Sequence, residues 1–252
     1  MISDKVLKGR PVSLTVLDYG LFRVHANGRV IGICGFLIRT DAGEAVLVDT
    51  GFPAKYAHDT AAASAEDRLG AFGEVLHCGP ENLPAAQLAL CGLAPEDIDL
   101  LILTHSHIDH VGGLHDFPQA PILLSGPEHR LERPLYWGDV RPMEWPARDY
   151  RVVEGDVTLA PGLEVLLVPG HVPGQLSLLV ELPQTGAVLL TSDAISRPAE
   201  IKEGFAGAPD PEAARASAAR LMALARARDA FVIYGHCPQQ WPGLRKAPEA
   251  FA

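Results

Sequence analysis

The chain has 252 residues, 48% of them hydrophobic, and a mean hydropathy of +0.11. That composition fits a globular protein with a sizeable core. A formal net charge of -10 without a basic stripe argues against a nucleic-acid partner and against anionic membranes. No apolar run approaches the ~20 residues of a membrane span. The start MISDKVLKGRPVSLTVL lacks a signal-peptide h-region. A cytoplasmic protein with one domain over residues 1–252 is the expectation.

In chain order, Ser13–Leu17 and Ile31–Arg39 read as strands. Asp41-Ala-Gly43 reads as a turn, after which Ala45–Val48 resumes a strand. Asn82 to Gly92 reads as a short helix, capped by Asn and ended by Gly. Leu100–Leu103 has the length of a buried strand. Leu163–Val168, Leu176–Leu182 and Ala187–Leu190 are further strands, the last two joined by a turn at Pro183-Gln-Thr-Gly186. Asp210-Pro211-Glu212 opens a helix on which Ala214, Ala218, Leu221 and Ala225 recur at helical spacing. Phe231–Tyr234 is the last strand.

Several of these strands run into a polar residue of ligand type. Val48 is followed by Asp49, Leu103 by Thr104 and His105, and Val168 by Pro-Gly and His171. Leu190 is followed by Thr-Ser and Asp193, and Tyr234 by Gly235 and His236. Strands lying side by side would deliver these residues to one edge, a rigid polar site on an apolar scaffold. Gly170 and Gly235, each just before a histidine, would permit close backbone turns.

The densest stretch is THSHIDHVGG, from Thr104 to Gly113. Alternation points His105 and His107 to one side of an extended segment. Asp109 and His110 follow as the chain turns toward a helix, so the motif can feed two neighbouring positions. Imidazole suits zinc and similar metals, and carboxylate adds neutralising charge and can bridge. Of the ten histidines, His25, His58, His77, His115 and His129 read as surface or loop residues. The four cysteines, Cys34, Cys78, Cys91 and Cys237, form no C-x-x-C pair and read as free thiols in packing roles.

THSHIDH, Asp49-Thr-Gly51, Pro169-Gly-His-Val-Pro-Gly174, Thr191-Ser-Asp193 and Tyr234-Gly-His236 together resemble the metallo-β-lactamase superfamily. Within it the chain is most similar to the quorum-quenching N-acyl-homoserine lactonase branch. The resemblance implies an α/β fold of the α+β kind, an αββα sandwich of two mixed sheets flanked by helices. It implies two divalent ions, with zinc the first expectation. His105, His107 and His171 would bind one ion, Asp109, His110 and His236 the other, and Asp193 would bridge. Asp49 would orient a ligand rather than bind metal. A homodimer is also what the branch suggests.

Such a pair of ions acidifies a shared water, and the expected reaction is attack of the bridging hydroxide on a lactone carbonyl. Asp109 and Asp193 are the expected catalytic carboxylates, with Asp109 helping to move the proton. One departure bears on the substrate. The branch usually has tyrosine three residues after the bridging aspartate, where Ser196 stands here. Tyr136 and Tyr150 are candidate replacements. The segment from Pro118 to Asp156 reads as a cover over the mouth, with Tyr136, Trp137, Met143, Trp145 and Tyr150 as a possible apolar wall. The alternative function is an arylesterase, thioesterase or phosphotriesterase on the same dinuclear site.

Overall fold

The computed structural model describes residues 6–252. Among these, the first half contributes β1 (Pro11–Val24), β2 (Val30–Thr40), β3 (Ala45–Val48), β4 (Gly73–His77), β5 (Leu100–Ile102), β6 (Ile122–Ser125) and β7 (Tyr150–Val153). They form one mixed sheet in the order β4-β1-β2-β3-β5-β6-β7. The second half contributes β8 (Val157–Ala160), β9 (Leu163–Leu167), β10 (Leu176–Leu182), β11 (Gly186–Leu190) and β12 (Phe231–Ile233). These form a second sheet in the order β12-β11-β10-β9-β8.

The two sheets pack face to face, and side-chain alternation shows why. In β3, Val46 and Val48 enter the core between the sheets, while Ala45 and Leu47 enter the core under the outer helices. In β10 and β11, Leu176, Leu178, Val180, Val188 and Leu190 face the other sheet, while Leu179 and Leu189 face outward. Strands buried on both faces are continuous apolar runs. Helices α1 (Thr60–Glu66), α2 (Pro84–Leu90) and α3 (Ile108–Val111) cover the outside of the first sheet through Ala63, Leu88, Ile108 and Val111. After α4 (Gly126–His129) and α5 (Pro198–Glu203), α6 (Pro211–Ala227) covers the second sheet. Its apolar stripe is Ala214, Ala218, Leu221 and Ala225, as the spacing predicts. The result is the expected αββα sandwich.

Local signals explain the boundaries. Asp210 caps α6 by accepting from the Ala213 N–H at 3.0 Å, and Pro211 takes the first helical position. Asp210→Ala is expected to cost about 1 kcal/mol and to lower Tm by a few degrees in thermal unfolding. The helix expected over 82–92 is shorter than predicted. Asn82 does not cap it, because its side chain accepts from Gly79 N–H and donates to the Asp18 carbonyl. The α-helix starts instead at Pro84. The first strand runs well past Leu17, because a register shift between Asp18 and Gly20 leaves Tyr19 without a partner and does not end the pairing. The expected cover over 118–156 is also corrected. β6 is a fully buried strand and β7 pairs with it in parallel, so part of that stretch is sheet. No helix among the described residues is long and apolar enough to cross a membrane.

Candidate metal centre

β3 and β5 are parallel neighbours, and β11 and β12 are parallel neighbours in the other sheet. β9 runs the same way as β11, since both are antiparallel to β10. Their carboxyl ends therefore deliver Asp49, His105, His171, Asp193 and His236 to one edge of the sandwich. A backbone bond from Leu176 N–H to the Thr104 carbonyl, 2.9 Å, ties the two sheets together there. Gly170 and Gly235 behave as their places suggest. A side chain on Gly170, at φ 142°, would strike the α6 backbone at Ala214, and one on Gly235 would strike the Ser192 carbonyl.

The donor atoms of His105, His107 and His171 lie within 4.8 Å of one another, and so do those of Asp109, His110 and His236. Asp193 stands between the two trios. Its Oδ2 is 3.4 Å from His171 Nε2, while its Oδ1 is 3.1 Å from His236 Nε2 and 3.5 Å from His110 Nε2. All seven residues predicted as ligands thus converge. His105 Nε2, His110 Nε2 and Asp193 Oδ1 are buried without a hydrogen-bond partner. Buried polar atoms are rarely left in that condition, and an orphaned set of imidazole and carboxylate atoms has the chemistry of a cation site. The donors fit two divalent ions.

Neighbouring groups aim the imidazoles. His110 Nδ1 lies 2.8 Å from Asp49 Oδ2 and His236 Nδ1 lies 3.0 Å from the Gly32 carbonyl. In each case the acceptor fixes the proton on Nδ1 and leaves Nε2 free to ligate. Asp49 does more than orient His110. Its Oδ1 accepts from Thr104 N–H at 2.8 Å, and its Oδ2 accepts from Thr104 Oγ1 at 2.7 Å. Asp49 holds these contacts at φ 61°, a left-handed backbone that aspartate tolerates better than most residues. The rest of the Asp-Thr-Gly turn grips α3. Thr50 N–H and Oγ1 both donate to the His110 carbonyl, and Gly112 N–H donates to the Gly51 carbonyl.

The two halves differ electrostatically. Burial pushes His105 and His107 well below the usual imidazole range, and their histidine neighbours add to the effect. Burial likewise lowers His171. Neutral imidazole is the ligating form. Burial also opposes a charge on His110 and His236, but the carboxylates outweigh it. Asp109, Asp49 and Asp193 raise His110, and Asp193 with Asp109 raises His236 to about 9. Asp193 is held well below the carboxylate range, because His236, His171 and His110 overcome its burial. That half of the site favours positive charge.

Access is from the side of His171 and Asp109, whose side chains are 27% and 17% exposed against 5% for His110. Ser196 sits at the His236 side. Its carbonyl accepts from His236 N–H at 2.9 Å, and its own N–H donates to Glu200 Oε2 at 2.8 Å. Of the predicted apolar wall, Tyr136 is withdrawn from the surface. Tyr136 is 3% exposed and belongs to the core under the first sheet. Trp137 Nε1 donates to the Asp67 carbonyl and Trp145 Nε1 to the Leu131 carbonyl. Tyr150 donates to the Pro146 carbonyl. These polar handles are engaged within the protein. The five histidines read as peripheral are all exposed. Cys237 is buried and points at Gln239 rather than at the trios.

Sequence reasoning did not single out Glu128, which is buried and accepts from both Ser106 N–H and Ser106 Oγ. Nor did it single out Ser192, whose hydroxyl donates to Thr104 Oγ1 at 2.9 Å. Neither partner can be read from local sequence, since each contact spans more than twenty residues.

Comparison with known proteins agrees with this geometry. Residues 35–236 match the Metallo-beta-lactamase superfamily. An N-acyl homoserine lactonase of Bacillus thuringiensis subsp. kurstaki is 33% identical, over 85% of this chain and 84% of that one. An N-acyl homoserine lactonase of Rhizobium radiobacter is 32% identical, over 66% and 68% of the two chains. A solved N-acyl homoserine lactone hydrolase, with N-hexanoyl-L-homoserine bound at its catalytic metal centre, superposes with a TM-score of 0.82 and 28% identity. It covers 96% of this chain and 100% of that one. The convergent His and Asp side chains, the sandwich that delivers them and these likenesses lead to one conclusion: the chain belongs to the metallo-beta-lactamase superfamily.

Proposed function

We propose that the protein is a dinuclear metal-dependent hydrolase that opens the ester ring of N-acyl homoserine lactones or similar lactones. Zinc is the metal favoured by a donor set of five imidazoles and two carboxylates. The observation that carries this reading is Asp193, whose two oxygens face two separate trios of donors. His105, His107 and His171 would hold one ion, Asp109, His110 and His236 the other, with Asp193 shared. Divalent ions held this way supply Lewis acidity and a water acid enough to attack an ester near neutral pH.

The chain's own residues do the rest. Asp49 and the Gly32 carbonyl keep His110 and His236 with Nε2 turned inward. Asp109 Oδ2 faces His110 and His236 at 3.6 and 3.5 Å. Asp109 would take the proton of the attacking water and return it to the departing ring oxygen. The open side at His171 and Asp109 admits the lactone. Ring opening consumes one water and yields a hydroxy acid, so each turnover at neutral pH releases one proton.

Ser196 keeps a second reading in view, in which the natural ester is an aryl ester, thioester or phosphotriester. A serine hydroxyl is too short to reach where the branch's tyrosine reaches. A panel of these substrates and of N-acyl homoserine lactones, run by pH-stat on protein of measured metal content, separates the two. Turnover of lactones across acyl lengths supports the first reading. Turnover of aryl esters with no lactone hydrolysis sinks it. Ser196→Tyr is expected to raise lactone kcat about tenfold or more, given that a carbonyl donor contributes ~10²-fold elsewhere. An unchanged kcat would mean that another group already performs that role.

A further inference from the structure

The trio of His105, His107 and His171 is assembled from two loops on different sheets, and a carboxylate outside the ligand set ties those loops together. His105 and His107 lie on the loop after β5. His171 lies on the loop between β9 and β10. Glu128, on α4 after β6, is only 3% exposed. Its Oε2 accepts from Ser106 N–H at 3.0 Å and from Ser106 Oγ at 2.5 Å. Ser106 is the residue between His105 and His107.

The same side chain reaches the other loop. A Cβ on Gly174 would lie 2.7 Å from Glu128 Cγ, so the loop three residues beyond His171 rests directly on it. The Ser106 hydroxyl then accepts from Leu135 N–H at 3.2 Å, which extends the contact to the covering segment. By contrast, the second trio has its own supports in Asp49 and the Gly32 carbonyl, and Glu128 touches neither.

We infer that Glu128 is a positioning residue for one ion only, fixing the spacing of the His105-x-His107 loop against the His171 loop through Ser106 and Gly174. This rests on the dinuclear reading above. A buried carboxylate that accepts two hydrogen bonds from one loop and leans on another sets their separation. Partners that orient metal ligands typically contribute 10–100-fold in metal affinity. In Glu128→Gln the side chain keeps its shape but loses its charge, so the two bonds it accepts from Ser106 weaken from charge-assisted to neutral ones. The loops are then held less closely, and the first trio loosens while the second does not.

The test is titration of metal-stripped protein with Co2+, following its visible absorption bands against a competing chelator. Wild-type protein is expected to bind two ions in resolvable steps. In Glu128→Gln one step weakens at least tenfold and the other stays within about twofold. The weakened step is the one whose bands His107→Ala also loses. Ser106→Ala removes the hydroxyl, and with it the acceptor of Leu135 N–H, but keeps the Ser106 N–H bond to Glu128 and is expected to weaken the same step to a lesser degree; it carries the test if Glu128→Gln does not fold. Two ions in wild type, with both steps unchanged or equally weakened in the variants, would overturn the positioning role alone. Failure of wild-type protein to bind two ions would overturn the dinuclear reading and this inference with it.

Discussion

Asp193→Ala is expected to lower lactone kcat/KM at least ~10³-fold, or about 4 kcal/mol of transition-state stabilisation. Metal content should fall from two ions per chain to one at most. The two oxygens of the Asp193 side chain face the two trios, at 3.4 Å on one side and 3.1 Å on the other. Removing it leaves His171, His110 and His236 without the buried negative charge that favours a cation among them. An alanine there also relieves no strain and opens only a small space, so the fold should persist. Elemental analysis with pH-stat assay on the purified variant gives the answer. Two retained ions and wild-type turnover would show that Asp193 does not join the two halves.

Asp49→Asn should cost roughly 10–100-fold in affinity for one ion, with a comparable loss of activity. Asparagine tolerates the left-handed backbone at φ 61° about as well as aspartate, so the change isolates the charge and the acceptor geometry. The wild-type carboxylate accepts from Thr104 N–H, Thr104 Oγ1 and His110 Nδ1 together. An amide replaces one acceptor oxygen by a donor, so at least one of these three buried groups loses its partner. If the lost partner is His110, its ring is freed to adopt the other tautomer and to turn Nε2 away from the site. The loss should appear in the metal titration as one weakened step, with Tm falling by several degrees. Unchanged metal affinity and activity would remove Asp49 from any role in aiming His110.

How much of this was legible in the sequence depends on how local each signal is. The candidate ligands are legible because His105, His171, Asp193 and His236 each follow an apolar run that reads as a strand, and because His, Asp and Gly cluster there without any packing reason. The start of α6 is legible to the residue because cap, first-turn proline and apolar spacing all agree. β1 reads as ending at Leu17 because Asp18 and Gly20 look like a break, whereas the register shift between them keeps the pairing alive. β6 and β7 were hidden in an aromatic-rich stretch that reads as a loop. The aromatic residues there bind backbone carbonyls and fill core, an outcome set by tertiary contacts rather than spacing.

Glu128 was the least legible. Ser125-x-x-Glu128 has the pattern of a capping box, which would turn the glutamate back onto its own helix. In the structure Ser125 Oγ does accept from Glu128 N–H, at 3.5 Å, but the carboxylate goes to Ser106 instead. A local rule and a distant partner compete for the same side chain, and the buried serine donors win because an unpaired N–H there is costlier than a half-made cap.

The central claim is that seven convergent His and Asp side chains hold two divalent ions to open a lactone ring. The most direct measurement is a pH-stat trace of N-hexanoyl homoserine lactone with protein carrying two Zn2+ per chain, repeated after chelation and again after Zn2+ is restored. The account predicts one proton released per lactone consumed, none above background after chelation, and recovery on restoring the metal. Proton release that persists in chelated protein, or none from protein holding both ions, would contradict it.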